Sequence, residues 1–399
     1  MERAMQNKRY LRDRLAGFSL IEVMVGLVIG LLTILVIMQS FAAFEGQKRT
    51  TTSGMDAQEN GLIALHTLQT DVRMAGRGML VDMDQNGTPE LAFNRLNLWR
   101  GGATALSTIM LPVAITDGGS GANNSDSVEI VYSNSSCAGT PMRITVPMPQ
   151  PSNITTVGAA TCTAADDLLI LAGPGLPGSL LKETGDPQPT GQGNFNLRTN
   201  SSAGDGSNYW NPPGGQSGYF PAGGYGLGSF VLNMGQMVHN RYQAQCDTFT
   251  VSNRLTQSGA VSCTDQNTFS NALPLNSSIV NIQAQFGIAP AGSQAVNCWA
   301  NATDTACSPT NGDWTAANLA PADIVRIKAV RVAIVARSSL RERPTTGTTC
   351  DATTTAPTLF NGVSGAPVVN LSGDPNWQCY RYKVYETIIP LRNIMWANV

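Results

Sequence analysis

The sequence predicts an α+β chain in which a long amino-terminal helix packs on an antiparallel, β-rich globular domain with long loops. Three observations carry that reading: an uncharged apolar run from Val23 to Phe44, a helical apolar pattern beyond it, and a series of short β-compatible runs from about residue 80 onward. Composition agrees, since only 13% of the 399 residues are charged while Gly numbers 40 and Pro 22, a balance that favours strands and turns over a helical body. The length suffices for one large domain or two, with a substantial core.

An uncharged run of this length can cross a bilayer as a helix, which needs about 20 residues. It exceeds the roughly 7–15-residue apolar core of an ordinary secretory signal, although "SFA" at Ser40–Ala42 offers a small-x-small cleavage site. Arg3, Lys8, Arg9, Arg12 and Arg14 precede it, opposed only by Glu2 and Asp13. The positive-inside rule keeps such a cluster cytoplasmic and sends the rest of the chain outward. Beyond residue 17 there remain 20 basic and 25 acidic side chains, which is not the balance of a nucleic-acid-binding domain.

Glu22 is the anomaly. A carboxylate in an apolar membrane segment costs about 2.5–3.5 kcal/mol on insertion scales, and snorkelling to the interface is one way to lower that cost. The surrounding residues offer another. "GFSLIE", Gly17–Glu22, follows a short basic leader and resembles the class III signal of type IV pilins and type II secretion pseudopilins. The resemblance implies cleavage after Gly17 by a prepilin peptidase and methylation of the new amine on Phe18. It further implies that Glu22 pairs with the amino-terminal amine of a neighbouring subunit. Gln39 stands where major pilins carry a helix-kinking proline, which points to a minor subunit.

The organisation expected is a leader over residues 1–17, a transmembrane helix over 18–44, its periplasmic continuation over 45–79 and a head over 80–399. In the continuation, Met55, Leu62, Leu65, Leu68 and Val72 recur at helical spacing. Gly46, Gly54 and Gly61 each cost roughly 1 kcal/mol relative to Ala, so a bent or interrupted helix is expected. His66 falls inside the pattern as an ordinary helix residue. "LHTLQTDVRMAGRG", Leu65–Gly78, closes the helix on Gly76 and Gly78. It looks like the corresponding stretch of PilW-type minor pilins, with Asp71, Arg73, Ala75 and Gly76 in matching places.

Strands are expected at Ser127–Ser133, Met142–Pro147, Asp167–Gly173, Ser278–Ile288, Ile324–Arg337 and Tyr380–Asn393, the last two alternating visibly. They form an antiparallel sheet with one face on the helix. The closing runs resemble the terminal strand pair of PilW-type proteins, ending in "ARS" (Ala336–Ser338) and "LRN" (Leu391–Asn393). A Gly/Pro/aromatic-rich stretch from about 173 to 228 reads as an elaborated loop or insertion. Its Tyr209, Trp210, Tyr219, Phe220 and Tyr225 either form a contact surface or pin the loop to the body.

Eight cysteines, Cys137, Cys162, Cys246, Cys263, Cys298, Cys307, Cys350 and Cys379, all lie beyond the apolar run and none is in a CxxC spacing. With only His66 and His239 beside them, disulfides fit better than zinc. Pairing of sequence neighbours is the simplest of the 105 connectivities that eight cysteines allow. "DMDQNGTPE" places Asp82, Asp84 and Asn86 before Gly87, like the first half of an EF-hand loop. Phe93 stands where the bidentate glutamate belongs, leaving Glu90 as a candidate fourth ligand, so calcium is the one cofactor in question. A polar turn explains the same letters.

The sequence carries no G-x-S-x-G, P-loop or H-E-x-x-H, and it is not read as an enzyme. Arg326, Lys328, Arg331, Arg337, Arg341 and Arg343 form a basic stripe, read as a solvated face that blunts a sheet edge. The resemblance implies a minor pilin that primes type IV pilus assembly from a tip complex. It would begin in the inner membrane, single-pass with a periplasmic carboxy-terminal domain, and end in the pilus fibre at the cell surface. Its partners would be other minor pilins, the major pilin, the prepilin peptidase and a tip adhesin; nucleic acid is not expected. The alternatives are a J-type pseudopilin of type II secretion, whose heads tend to be smaller, and a tip-displayed adhesive module acting through the aromatic loop.

Overall fold

The computed structural model describes residues 18–399 apart from 84, 87–88, 102–105, 123, 138–139, 149–153, 161, 202–208, 214–218, 258, 266, 343, 345–348 and 396–399. The chain divides into two compact units, residues 1–53 and 54–399. Helix α1 runs from Leu20 to Met74, and Gly46, Gly54 and Gly61 all carry helical backbone, so the expected interruption is not seen.

In the first unit the apolar segment Leu20–Glu45 comprises 26 residues, long enough to cross a membrane, and none of it is buried. Its large side chains, from Leu20 to Phe44, are at least half exposed. An apolar helix left bare in this way needs lipid or other helices around it.

In the second unit α1 supplies a stripe of small and medium residues. Ala57, Gly61, Ala64, Leu68, Val72 and Ala75 are buried, whereas Met55 and Leu62, expected on that face, are exposed. The physical reason is close approach. A Cβ at Gly61 would collide with the Tyr385 ring and stand 3.2 Å from the Ala336 Cβ, so any side chain there would force that ring to move. Counting large apolar side chains misplaced the stripe because its deepest positions are Ala and Gly.

The stripe packs on two antiparallel sheets. One has four strands in the order Cys298–Ala300, Ile279–Ile288, Ile327–Arg337, Tyr382–Pro390; the other has five, in the order Leu273–Ser277, Thr248–Asn253, Val238–Gln245, Ser127–Tyr132, Val113–Thr116. Ile282, Ala284, Phe286, Val330, Val332 and Ile334 join Val128, Ile130 and Phe249 in one apolar core with the helix. The expectation of one sheet therefore becomes several.

A six-stranded sheet lies away from this core, in the order Leu106–Ile109, Arg95–Leu98, Gly178–Lys182, Leu168–Ala172, Phe230–Gly235, Met142–Arg143. All its pairs are antiparallel except Arg95–Leu98 with Gly178–Lys182. Leu168–Ala172 is buried on both faces, which accounts for its unbroken apolar letters. The stretch at 173–228 is more than a loop. It holds the interior strand Gly178–Lys182 and two strands of a three-stranded sheet, Gln188–Gly191 and Asn194–Arg198, the latter paired with Ile154–Gly158.

The four-stranded sheet differs from the expected half-solvated pattern on its second face. Asn281, Gln283 and Gln285 alternate with the core residues and are almost wholly buried under the segment 350–379. Leu359, Phe360, Val369 and Leu371 from that segment pack on Ala333 and Val335. Buried amides must be hydrogen-bonded, and they are: Gln285 Nε2 donates to Asn301 Oδ1 and to the Gly365 carbonyl, each at 2.7 Å.

All eight cysteines pair with sequence neighbours: Cys137–Cys162, Cys246–Cys263, Cys298–Cys307 and Cys350–Cys379. Their Cα–Cα distances of 5.6, 6.4, 5.8 and 4.8 Å suit a disulfide. Cys246 also sits with Asp247 at the two left-handed positions (φ 46° and 55°) of a tight hairpin turn between Gln245 and Thr248, positions that usually favour Gly or Asn.

Glu183 is fully buried, with the Thr163 hydroxyl as the one side-chain donor acting on its carboxylate among the described residues. Burial, opposed by the Thr163 hydroxyl and reinforced by nearby Asp167 and Asp186, pushes its pKa up to about 8 from an ordinary 4.5. The folded state therefore keeps a proton that the unfolded state loses as pH rises from about 4.5 to about 8, so stability falls across that window. Glu183→Gln, neutral throughout, should flatten this dependence. Urea midpoints near pH 5 and pH 8 check it; equal slopes for parent and variant would contradict the assignment.

Candidate assembly site

Two regions carry the residues that the sequence singled out: the start of α1 in the first unit and the end of α1 in the second. Phe18 is exposed, and Glu22 sits in the first helical turn, where its Oε2 accepts a bond from the Ser19 N–H at 3.4 Å. A carboxylate at this end is favoured by the exposed N–H groups and the helix dipole. Gly17 and the basic leader lie outside the described residues.

At the other end, Asp71 accepts bonds from the hydroxyls of Tyr132, at 3.2 Å, and Tyr242, at 2.5 Å, while Asn240 Nδ2 lies 3.4 Å away. This ties the last turns of the helix to two adjacent strands of the five-stranded sheet. Burial, with the Asp71 charge beside it, pushes the Tyr132 phenol up to about 12. Arg73 is exposed.

The chain then turns at Gly76, whose φ of +79° an L side chain rarely adopts. A Cβ there would also meet Ile394 and Pro112, each at 3.3 Å. The open carbonyls of the helix end are closed from far along the sequence. Asn393 Nδ2 donates to Met74 O at 3.1 Å and to Ala75 O at 3.0 Å. Gly76 N donates to Val131 O at 2.9 Å, and Arg77 Nη2 to Ser135 O at 2.9 Å. The "AG" and "LRN" motifs thus form one joint, a contact between residues 319 positions apart that no local pattern announces.

Part of the basic stripe is internal and not a solvated face, although Arg341 is exposed. Lys328 and Arg331 are buried on an interior strand. Arg331 donates from Nε to Gln285 Oε1 at 2.6 Å and stacks on the rings of Trp299 and Phe360. Arg337 bridges Asp247 and Asp374 at 2.7 and 2.8 Å and lies over Tyr380. Arg326 pairs with Asp323, and Arg341 bonds Asn376. Arg343 lies outside the described residues.

His239 lies 3.8 Å from Glu129, beside Arg241 and Arg254. Burial alone would raise the Glu129 carboxyl, but His239, Arg241 and Arg254 together hold it at about 2. His66 is exposed on the helix.

The aromatic stretch is pinned to the body. Tyr219, Phe220 and Tyr225 are buried; the Tyr225 hydroxyl donates to Pro177 O at 2.8 Å and lies 2.9 Å from Ser179 Oγ. Tyr209 and Trp210 form a half-buried edge-to-face pair. Asp82 and Glu90 flank the turn of a two-stranded ribbon, with Asn86 exposed between them, and Asp84 lies outside the described residues. Among the described residues no group of three or more His, Cys, Asp or Glu is arranged to hold a metal ion.

The first unit carries a bare, membrane-length apolar segment, and the second is an antiparallel β-rich domain stapled by four disulfides. Residues 248–393, somewhat over a third of the chain, match the family model of Type IV Pilus-assembly protein W. The matched region includes the whole four-stranded sheet and ends on Asn393. No curated protein and no solved structure matches the chain.

Asn393→Ala removes both side-chain bonds to the helix end and leaves two carbonyls to find other partners. At about 0.5–1.5 kcal/mol per bond, a loss of roughly 1–3 kcal/mol is expected in urea unfolding of the full chain. An unchanged midpoint would show that the joint is dispensable.

Proposed function

We propose that the chain is a minor pilin that helps prime type IV pilus assembly and takes its place in a complex at the filament tip. The PilW match carries this reading. It is supported by the apolar segment Leu20–Glu45, bare along its whole length, and by Glu22 in its first turn. Within the head, Met55, Leu62 and Ile63 leave an apolar outer face on the helix, available for neighbouring subunits.

On this reading the prepilin peptidase cuts after Gly17 and methylates Phe18, and the new amine of one subunit meets Glu22 of another. Before assembly the apolar segment anchors the chain in the inner membrane with the head in the periplasm; afterwards it packs among the helices of other minor pilins and the major pilin. The work is association, not turnover. The match favours this over a J-type pseudopilin, and burial of Tyr219, Phe220 and Tyr225 removes much of the surface an aromatic adhesive loop would need.

Deleting the gene with and without the retraction motor, and counting surface filaments, tests the priming role. Filaments should be scarce in the first strain and partly recovered in the second, because slow initiation matters less when nothing withdraws the fibre. Unchanged counts in both strains would contradict it.

A further inference from the structure

A cleft of about 820 Å³ opens on the head where the segment 350–379 meets the loops at 117–124 and 301–303. That volume lies within the roughly 300–1,000 Å³ of small-molecule sites. Hydroxyl and amide groups of Ser120, Thr303, Thr354, Thr355 and Asn370 line it, and Trp377 adds a half-buried aromatic ring. Among the described lining residues the one ionisable side chain is Asp117, whose oxygens accept from Gly119 N at 2.6 Å and from Thr303 Oγ1 at 2.5 Å. With no lysine, arginine or histidine among its described lining residues, the cleft is poorly made for an anion.

Its floor is built before any ligand arrives. Asn124 and Gln283 are 4% and 3% exposed. Asn124 donates from Nδ2 to Val368 O at 2.6 Å and accepts from Asn370 N at 2.9 Å, while Asn370 Nδ2 donates to Ser120 O at 3.1 Å. Gln283 Nε2 donates to the Asn124 carbonyl and to Asn281 Oδ1. The Cys350–Cys379 disulfide closes the segment that forms the outer wall. Walls fixed in this way lower the ordering cost of binding.

We propose that this cleft binds a neutral oligosaccharide, with a sugar ring against Trp377 and its hydroxyls on Thr354, Thr355 and Asn370. Sugars combine an apolar C–H face with dense uncharged donors and acceptors, and this lining offers both in one place. The site is separate from the helix that the assembly reading uses, so either can fail without the other.

The test uses the purified full chain in a sugar-free detergent, screened against an array of neutral and acidic oligosaccharides, with the best neutral binder titrated by calorimetry. Saturable binding is expected, weakened at least about tenfold by Thr355→Val and by Val368→Trp, with unchanged melting temperatures. Thr355 is exposed and Val368 is 75% exposed at the rim, so neither change disturbs the core. Absence of any neutral binder, binding of acidic sugars alone, or full affinity in a folded Val368→Trp variant would overturn the proposal.

Discussion

Gly61 lets the Tyr385 ring and Ala336 lie directly against the helix backbone, and the head depends on that close approach. It brings Ala57, Ala64, Leu68 and Val72 into one core with the inner faces of two sheets. It also brings the end of the helix within reach of the last strand, so that Asn393 closes the carbonyls of Met74 and Ala75. A larger residue at position 61 would displace the Tyr385 ring from the helix.

Several charged side chains of the head are wholly or partly buried and act as internal ties. Arg331 sits between two aromatic rings and an amide, Arg337 joins two carboxylates, and Glu129 is surrounded by two arginines and a histidine. Buried charges are tolerated when paired and hydrogen-bonded, and these fix one loop or strand to another. The second face of the four-stranded sheet follows the same rule with amides, which is why it can be polar and still covered.

Much of this was legible in the sequence where the determinants are local. The apolar segment, the strands at Ser127–Tyr132, Leu168–Ala172 and Ile327–Arg337, and the pairing of neighbouring cysteines all follow from letters close together. What escaped depends on distant partners. Gly178–Lys182 reads as loop because glycine and proline flank it, yet it is buried between two strands of a sheet. Met55 and Leu62 satisfy a helical period but face outward, since the sheet selects small side chains for its contact. Lys328 and Arg331 alternate like a solvated edge, and only the strands on either side, Ile279–Ile288 and Tyr382–Pro390, reveal an interior position. The family match likewise covers the four-stranded sheet and two strands of the five-stranded one, and not the amino-terminal helix, so the assembly reading of Gly17, Phe18 and Glu22 rests on their own chemistry.

That chemistry has a direct test. Glu22→Gln keeps the size of the side chain and removes its charge, so membrane levels of the protein should hold while its share of sheared filaments falls at least about tenfold, the loss of one charge-assisted pair worth some 1.5–3 kcal/mol. A variant recovered in filaments as abundantly as the parent would contradict a role for the carboxylate in bringing subunits together.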